Sequence, residues 1–273
     1  MNLIYFKSDI GNFGDDLNVW LWEQLLGDFK NYQNAVDFVG IGSIFDQRIK
    51  SPNKKIIFGS GVRDFNLDVN TFNDLDIRFV RGPISGKITN GSPYITDSAY
   101  ALRLLPKAEV KKRYKKSFIP YFRHVNHFNW SLFEKVTGIH VISPILPVEH
   151  VIEEIQASEQ IMTAAMHGAI LADIYRVPWM RVKFTAHGSE NGLTSELKWN
   201  DWLLSVGLNN IPTIYFDFTL NYTASKMKQY VYLSLMKVKL KKLKFVMSTD
   251  ATIKDIEQKL RLEIEKIKTD YKL

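Results

Sequence analysis

The chain has 273 residues, a net charge of +7 and no cysteine, with 45% hydrophobic and 24% charged residues. This is the balance of a folded globular protein, with room for two domains of roughly 130 residues each. It excludes disulfides, zinc–thiolate sites and thiol nucleophiles, and no run reaches the ~18 apolar residues of a membrane-spanning helix.

The start, MNLIYFKSDIGNFG, has no basic stretch ahead of an apolar core, so a cytoplasmic protein is expected. Leu3–Phe6 predicts the first strand. GNFGDD (11–16) follows and opens a helix, with Leu17, Trp20, Leu21 and Leu25 at helical spacing and Asp15 or Asp16 as cap. Glycines let a backbone approach a ligand, and the N–H groups of a helix start attract anions. The G-x-x-G spacing is not a dinucleotide fingerprint. Two adjacent aspartates oppose a phosphate resting there and suit hydrogen bonds to sugar hydroxyls. A plain cap and turn remains the alternative.

Further strands are predicted at Phe38–Ile41, Lys55–Phe58, Ile77–Val80 and Tyr94–Thr96. VRGPIS (80–85) sets Arg81 beyond a strand, where a guanidinium fits a carboxylate or phosphate, and then a Gly-Pro helix start. Asp97 of TDSA reads as a helix N-cap. DLD (74–76) has the spacing of a metal-holding pair but precedes its strand. No other acid or histidine cluster has ligand spacing, so no metal is expected.

The basic stretch KAEVKKRYKKS (107–117) reads as the end of a helix plus a linker. A second alternation follows, with strands at Phe118–Phe122, Ile139–Ser143, Gln160–Thr163, Trp179–Val182 and Thr213–Phe216. Helices are predicted at Trp130–Lys135, Val148–Ala157 and His167–Tyr175. PYFRH (120–124) places Arg123 and His124 just past a strand. The strongest element is IMTAAMHGAILADIYRVPW (161–179), where His167 and Gly168 lie in the first turn of a helix. The dipole and N–H groups there favour an anion. A bound anion would in turn favour the imidazolium, as a general acid needs. A packed histidine is the alternative.

KWNDW (198–202) carries two tryptophans, read as core with sugar stacking as the alternative. His187 and Glu190 lie in the polar loop TAHGSEN. Ser225–Met247 reads as a lysine-rich amphipathic helix with Met227, Tyr230, Val231, Leu235, Val238 and Leu243 on its apolar side. It either packs on the protein or lies on an anionic membrane. Asp250–Tyr271 reads as a last helix with Ile253, Ile256, Leu260, Ile264 and Ile267 on one face. Basic residues cluster in one helix without an RNP, helix-turn-helix or zinc pattern, so nucleic acid is not an expected partner.

Strand, loop and helix in alternation predict an α/β protein: two Rossmann-like domains facing a cleft, GT-B-like, with C-terminal helices. The expected boundaries are 1–114, 115–220 and 221–273.

The ordered set NFGDDLNVWLW, GIGS, FGSGV, VRGPIS, TDSA, TAAMHGAILADIYRVPW and KWNDWLLSVGL resembles the polysaccharide pyruvyltransferase family over about residues 1–210. The similarity is closest to the bacterial exopolysaccharide ketal-pyruvate transferases. The resemblance implies transfer of an enolpyruvyl unit from phosphoenolpyruvate to two hydroxyls of a sugar, giving a cyclic ketal and phosphate. It implies no further cofactor. It also implies an acceptor on a lipid carrier such as undecaprenyl at the inner face of the membrane, with the acceptor on the first domain and the donor on the second. His167 is then the general acid and phosphate ligand. Asp15 or Asp16 orients or deprotonates the acceptor. Arg81, Arg123, His124, Gly168, Asn12, Gly14 and Lys183 complete the binding set. Family members often carry Arg two residues before the histidine. Here Ala165 and Met166 precede His167, so Arg81, Arg123 or Lys183 has to supply that charge. A glycosyltransferase using a nucleotide sugar on the same fold is the rival reading.

Overall fold

The computed structural model of the chain describes residues 1–27, 31–32, 35–185, 192–217, 226–240 and 243–273. His187 and Glu190 therefore lie outside the described residues.

The chain forms two parallel sheets. The first runs β1 (Asn2–Ile4), β2 (Val36–Val39), β3 (Lys54–Phe58), β4 (Leu75–Phe79) in sequence order. The second contains β5 (Ser117–Ile119), β6 (His140–Val141), β7 (Ile161–Thr163), β8 (Trp179–Thr185) and β9 (Thr213–Asp217). Its spatial order is β6-β5-β7-β8-β9. The connection reverses direction at β5 and β7, and in doubly wound sheets such a switch point opens a crevice at the strands' carboxyl ends.

Both faces of the second sheet are covered, and the two-residue strand period explains how. Ile119 and Ile161 point into the large core shared with α4 (Val148–Gln156) and α5 (Met166–Ile174). Their neighbours Phe118 and Met162 point the other way, onto α3 (Trp130–Thr137) and α7 (Lys226–Lys239). On the first sheet, Phe38 and Phe58 pack on α1 (Phe13–Leu26), with Trp22 edge-on to both rings.

Two elements late in the chain reach across to the first half. Helix α6 (Gly192–Ser205) follows β8, yet Asp201 reaches the first half. Its carboxylate accepts hydrogen bonds from the Ser85 N–H (2.9 Å), the Ser85 hydroxyl (2.6 Å) and Arg81 Nε (3.1 Å). Ser85 belongs to α2 (Pro83–Ile88), the helix that follows the Gly-Pro pair. The second element is α8 (Asp250–Tyr271). It buries Ile253, Ile256, Leu260, Ile264 and Ile267, the stripe its sequence predicts. It ends beside the first sheet, where the Tyr271 hydroxyl donates to Asp76 and Arg78 pairs with Asp270.

Three expectations change. Tyr94–Thr96 is no strand: Tyr94 makes a single bridge to Val80 before the chain turns at Asp97. The lysine-rich helix ends at Lys239, and Val246 instead pairs with Trp179 through two backbone hydrogen bonds of 2.8 and 3.0 Å. Helix α6 has no counterpart among the predicted elements.

Asp173 of α5 is fully buried and ties this region together. It accepts from the Tyr100 hydroxyl (2.8 Å), the Ser248 N–H (2.8 Å) and the Ser248 hydroxyl. Asp173→Ala leaves these donors buried without an acceptor. It is expected to lower unfolding stability by about 3 kcal/mol in urea titration, and Ser248→Ala by less.

Candidate active site

A cavity of about 480 Å³ opens where the carboxyl ends of the two sheets face each other. The first half supplies Phe6, Asn12, Asp15, the Gly42–Ile44 loop, Arg48 and Arg63. The second supplies Arg123 and His124 after β5, Ala164–His167 after β7, Arg181 and Lys183 on β8, and Glu196 and Lys198 on α6. Arg123 and His167 thus come from the two sides of the β5/β7 switch point.

His167 sits in the first turn of α5. Ala165 caps the helix, and the Thr163 hydroxyl ties the turn by accepting from the Ala165 N–H (3.0 Å) and donating to its carbonyl (2.7 Å). The N–H groups of Met166 and His167 precede the first helical bonds and have no intrahelical acceptor. The ring is mostly buried, with Nε2 3.7 Å from Asp97 Oδ2. Asp97 caps the turn Ser98–Leu104 as its sequence predicts, through Oδ1 accepting from the Ala99 N–H. Its other oxygen is buried, makes no hydrogen bond and faces the imidazole.

Helix α1 enters from the other half and touches the same ring. A Cβ at Gly14 would overlap the His167 imidazole, so only glycine allows this approach. The Phe13 N–H donates to Pro144 O (2.9 Å), which seats the start of α1 on the second half. One turn of this helix sorts the paired aspartates. The cap is Asn12, not the expected Asp15 or Asp16, which lie in the first turn; Asp16 turns back to accept from the Asn12 N–H at 3.0 Å and does not line the cavity. Asp15 faces the cavity and takes a hydrogen bond from the Asn12 side chain. Burial pushes its carboxyl up to about 6, against the opposing pull of the His167 and Lys198 charges. A carboxyl in that range exchanges protons near neutral pH.

The cationic wall lies on β8. Arg181 and Lys183 are two residues apart and so share a strand face. Arg181 binds Glu196 with two hydrogen bonds (3.1 and 2.7 Å), Lys183 binds it at 2.5 Å, and Arg181 stacks over the Trp199 ring. Burial works to raise the Glu196 carboxyl, but these donors outweigh it and hold it below the usual range. Arg123 is exposed at the rim over the Phe122 ring.

Several expected site residues take other places. Arg81 is fully buried and absent from the cavity wall, held by Asp201 and by the Ser43 hydroxyl. It braces the loop that lines the cavity. Gly168 gives its N–H to Ala165 O (3.0 Å), and a Cβ there would overlap Thr163 Oγ1, so it serves the seating of α5 on β7. His124 reaches the cavity, but burial and then the His127 charge push it down to about 4, so it is neutral near pH 7. Trp199 and Trp202 are buried, in keeping with the core reading. Among the described residues no group of three or more histidines and acids is placed to hold a metal. Sequence reasoning missed Arg181, Glu196, Lys198, Arg48 and Arg63. The Arg181/Lys183 alternation was the available signal for the first of these.

The two parallel sheets and the crevice between them, lined by basic residues, a histidine and a carboxylate, define an α/β protein with a cavity at its strands' carboxyl ends. Residues 7–182 match the family described as Polysaccharide pyruvyl transferase. The chain is also 36% identical over 217 residues to the Succinoglycan biosynthesis protein ExoV of Rhizobium meliloti (strain 1021), covering 78% of this chain and 67% of that protein. The chain belongs to the polysaccharide pyruvyl transferase family.

Two outcomes follow from this geometry. Gly14→Ala pushes the imidazole aside and is expected to cut turnover about 100-fold and to lower the melting temperature. Asp15 has its folded pKa raised above the unfolded value of 3.8. Its titration therefore favours the folded state below that value, and the advantage disappears as pH rises through about 6. Asp15→Asn should accordingly be more stable than the parent by about 2 kcal/mol near pH 8, a gain that vanishes near pH 4 in urea titrations.

Proposed function

We propose that this transferase moves the enolpyruvyl unit of phosphoenolpyruvate onto a sugar of a polysaccharide precursor, making a cyclic pyruvate ketal and releasing phosphate. The observation that carries the reading is the meeting of His167 and Asp15 in one cavity whose wall is cationic. Phosphoenolpyruvate is small and carries both a carboxylate and a phosphate, so it needs several cations and helix N–H groups together. Family membership and the ExoV similarity support pyruvyl transfer in exopolysaccharide synthesis.

In this reading the phosphate rests against the first turn of α5 and His167, and the donor carboxylate turns toward Arg123 and the Arg181–Lys183 wall. His167 gives a proton to C3 of the enol, which leaves an oxocarbenium-like centre at C2. A sugar hydroxyl adds there and its proton passes to Asp15, held by Asn12. A second hydroxyl of the same sugar attacks C2 and breaks the bond to phosphate, which leaves with that hydroxyl's proton. The balance is one ketal and one hydrogen phosphate, and the proton on Asp15 returns to His167 through solvent before the next turnover. Asp97 is a positioning residue for the imidazole.

We read the two sheets as Rossmann-like domains in a GT-B-like arrangement, with the acceptor on the first and the donor on the second. The lining of the cavity by loops after β1, β2, β3, β5 and β7 supports this. A lipid-linked acceptor such as an undecaprenyl oligosaccharide belongs to the same proposal.

Incubation with phosphoenolpyruvate and candidate acceptors is expected to release phosphate and add one pyruvate, less water, to the sugar. His167→Ala should abolish both while the protein stays folded. As base, Asp15 must be ionised, so turnover should fall as pH drops through about 6. Thermal stabilisation by a nucleotide sugar and not by phosphoenolpyruvate would instead point to glycosyl transfer.

A further inference from the structure

Helix α7 has two opposed apolar faces, and among the described residues one of them is covered. Leu233, Met236 and Leu240 are buried with Phe118, Phe133 and Phe216, and α7 lies along α3. At about 100° per residue, Met227, Tyr230, Val231 and Val238 fall on the far side with Leu235 beside them. These five are between 51% and 73% exposed. Their stripe is the apolar side read from the sequence, and it is not the side that packs.

The same rotation puts Lys228 and Lys239 along one edge of the stripe and Lys237 along the other. All three are exposed, and Lys237 Nζ also reaches Val136 O at the end of α3 (3.0 Å). From Lys226 to Thr249 the sequence holds no Asp or Glu. This rim selects the occupant. A second copy docking the same stripe by two-fold symmetry would set lysines against lysines with no carboxylate from this segment between them. An anionic bilayer offers an apolar layer about 5–10 Å deep beneath a negative surface, which matches an apolar stripe edged by lysines. No helix among the described residues is long and apolar enough to cross a membrane, so the contact is a surface one.

We propose that α7 docks the protein on anionic phospholipid, with the Met227–Val238 stripe in the boundary between headgroups and acyl chains. The proposal rests on α7 and is independent of the chemistry assigned to the cavity.

The test is co-sedimentation of the full chain with phosphatidylcholine vesicles, with and without about 30% phosphatidylglycerol, at low and high salt. Binding is expected to be at least about 10-fold tighter to the anionic vesicles and to weaken with salt. Val231→Glu with Val238→Glu should reduce it at least about 10-fold. Leu262→Glu, on the exposed side of α8, should not change it. Thermal stabilisation by phosphoenolpyruvate should be the same in all three proteins, so the two readings fail separately. The proposal is overturned by no binding to anionic vesicles or by equal binding of the double variant. It is equally overturned by a dimer in solution that the double variant converts to monomer, which would give the stripe to a second copy.

Discussion

The active site depends on how closely the start of α1 approaches the imidazole at the start of α5. Gly14 has no Cβ, and the His167 ring occupies the place where one would be. This contact sets one half of the molecule against the other at the point where chemistry is proposed. It also divides the labour of the aspartate pair. Because α1 enters at this angle, Asp16 can return to the Asn12 N–H while Asp15 faces the cavity. The carboxyl that faces inward is the one burial raises to about 6.

Buried polar contacts hold that approach in place. The Arg81–Asp201 pair has no solvent exposure on either side chain, and its carboxylate also binds Ser85. Such a pair adds little net stability compared with apolar packing, yet breaking one partner is costly, so it fixes the relation between α6 and the first half. Arg81 also holds Ser43, whose loop lines the cavity. Asp173 does similar work behind His167, joining α5 to the turn at Tyr100 and to the segment before α8. The imidazole therefore stands on a braced helix.

Much of the α/β alternation was legible because several strands are short, apolar and followed by glycine or small polar residues. The last helix was legible because its isoleucines keep one face. Helix α6 was not, and its packing says why. Leu197 goes into the core of the first half, while Trp199, Trp202 and Leu203 join the larger cluster. A helix wedged between two cores has no single apolar stripe. The ordered motifs led to the family, but the individual site residues were harder to assign. His167 and Asp15 stand in the cavity. Arg81 has the right residue type at the right strand end, but a buried acid 120 residues later claims it. No local pattern reports such a partner. For α7 the sequence identified the apolar stripe, whereas a second, less conspicuous set of Leu233, Met236 and Leu240 does the packing.

In the proposed reading, two helix starts and one cationic strand face form a single site for a small donor with two acidic groups. A crystal structure of the protein with phosphoenolpyruvate bound tests it most directly. The phosphate is expected against His167 and the first turn of α5, with the carboxylate toward Arg123, Arg181 or Lys183. Donor density elsewhere on the protein, with His167 and Asp15 untouched, would contradict it.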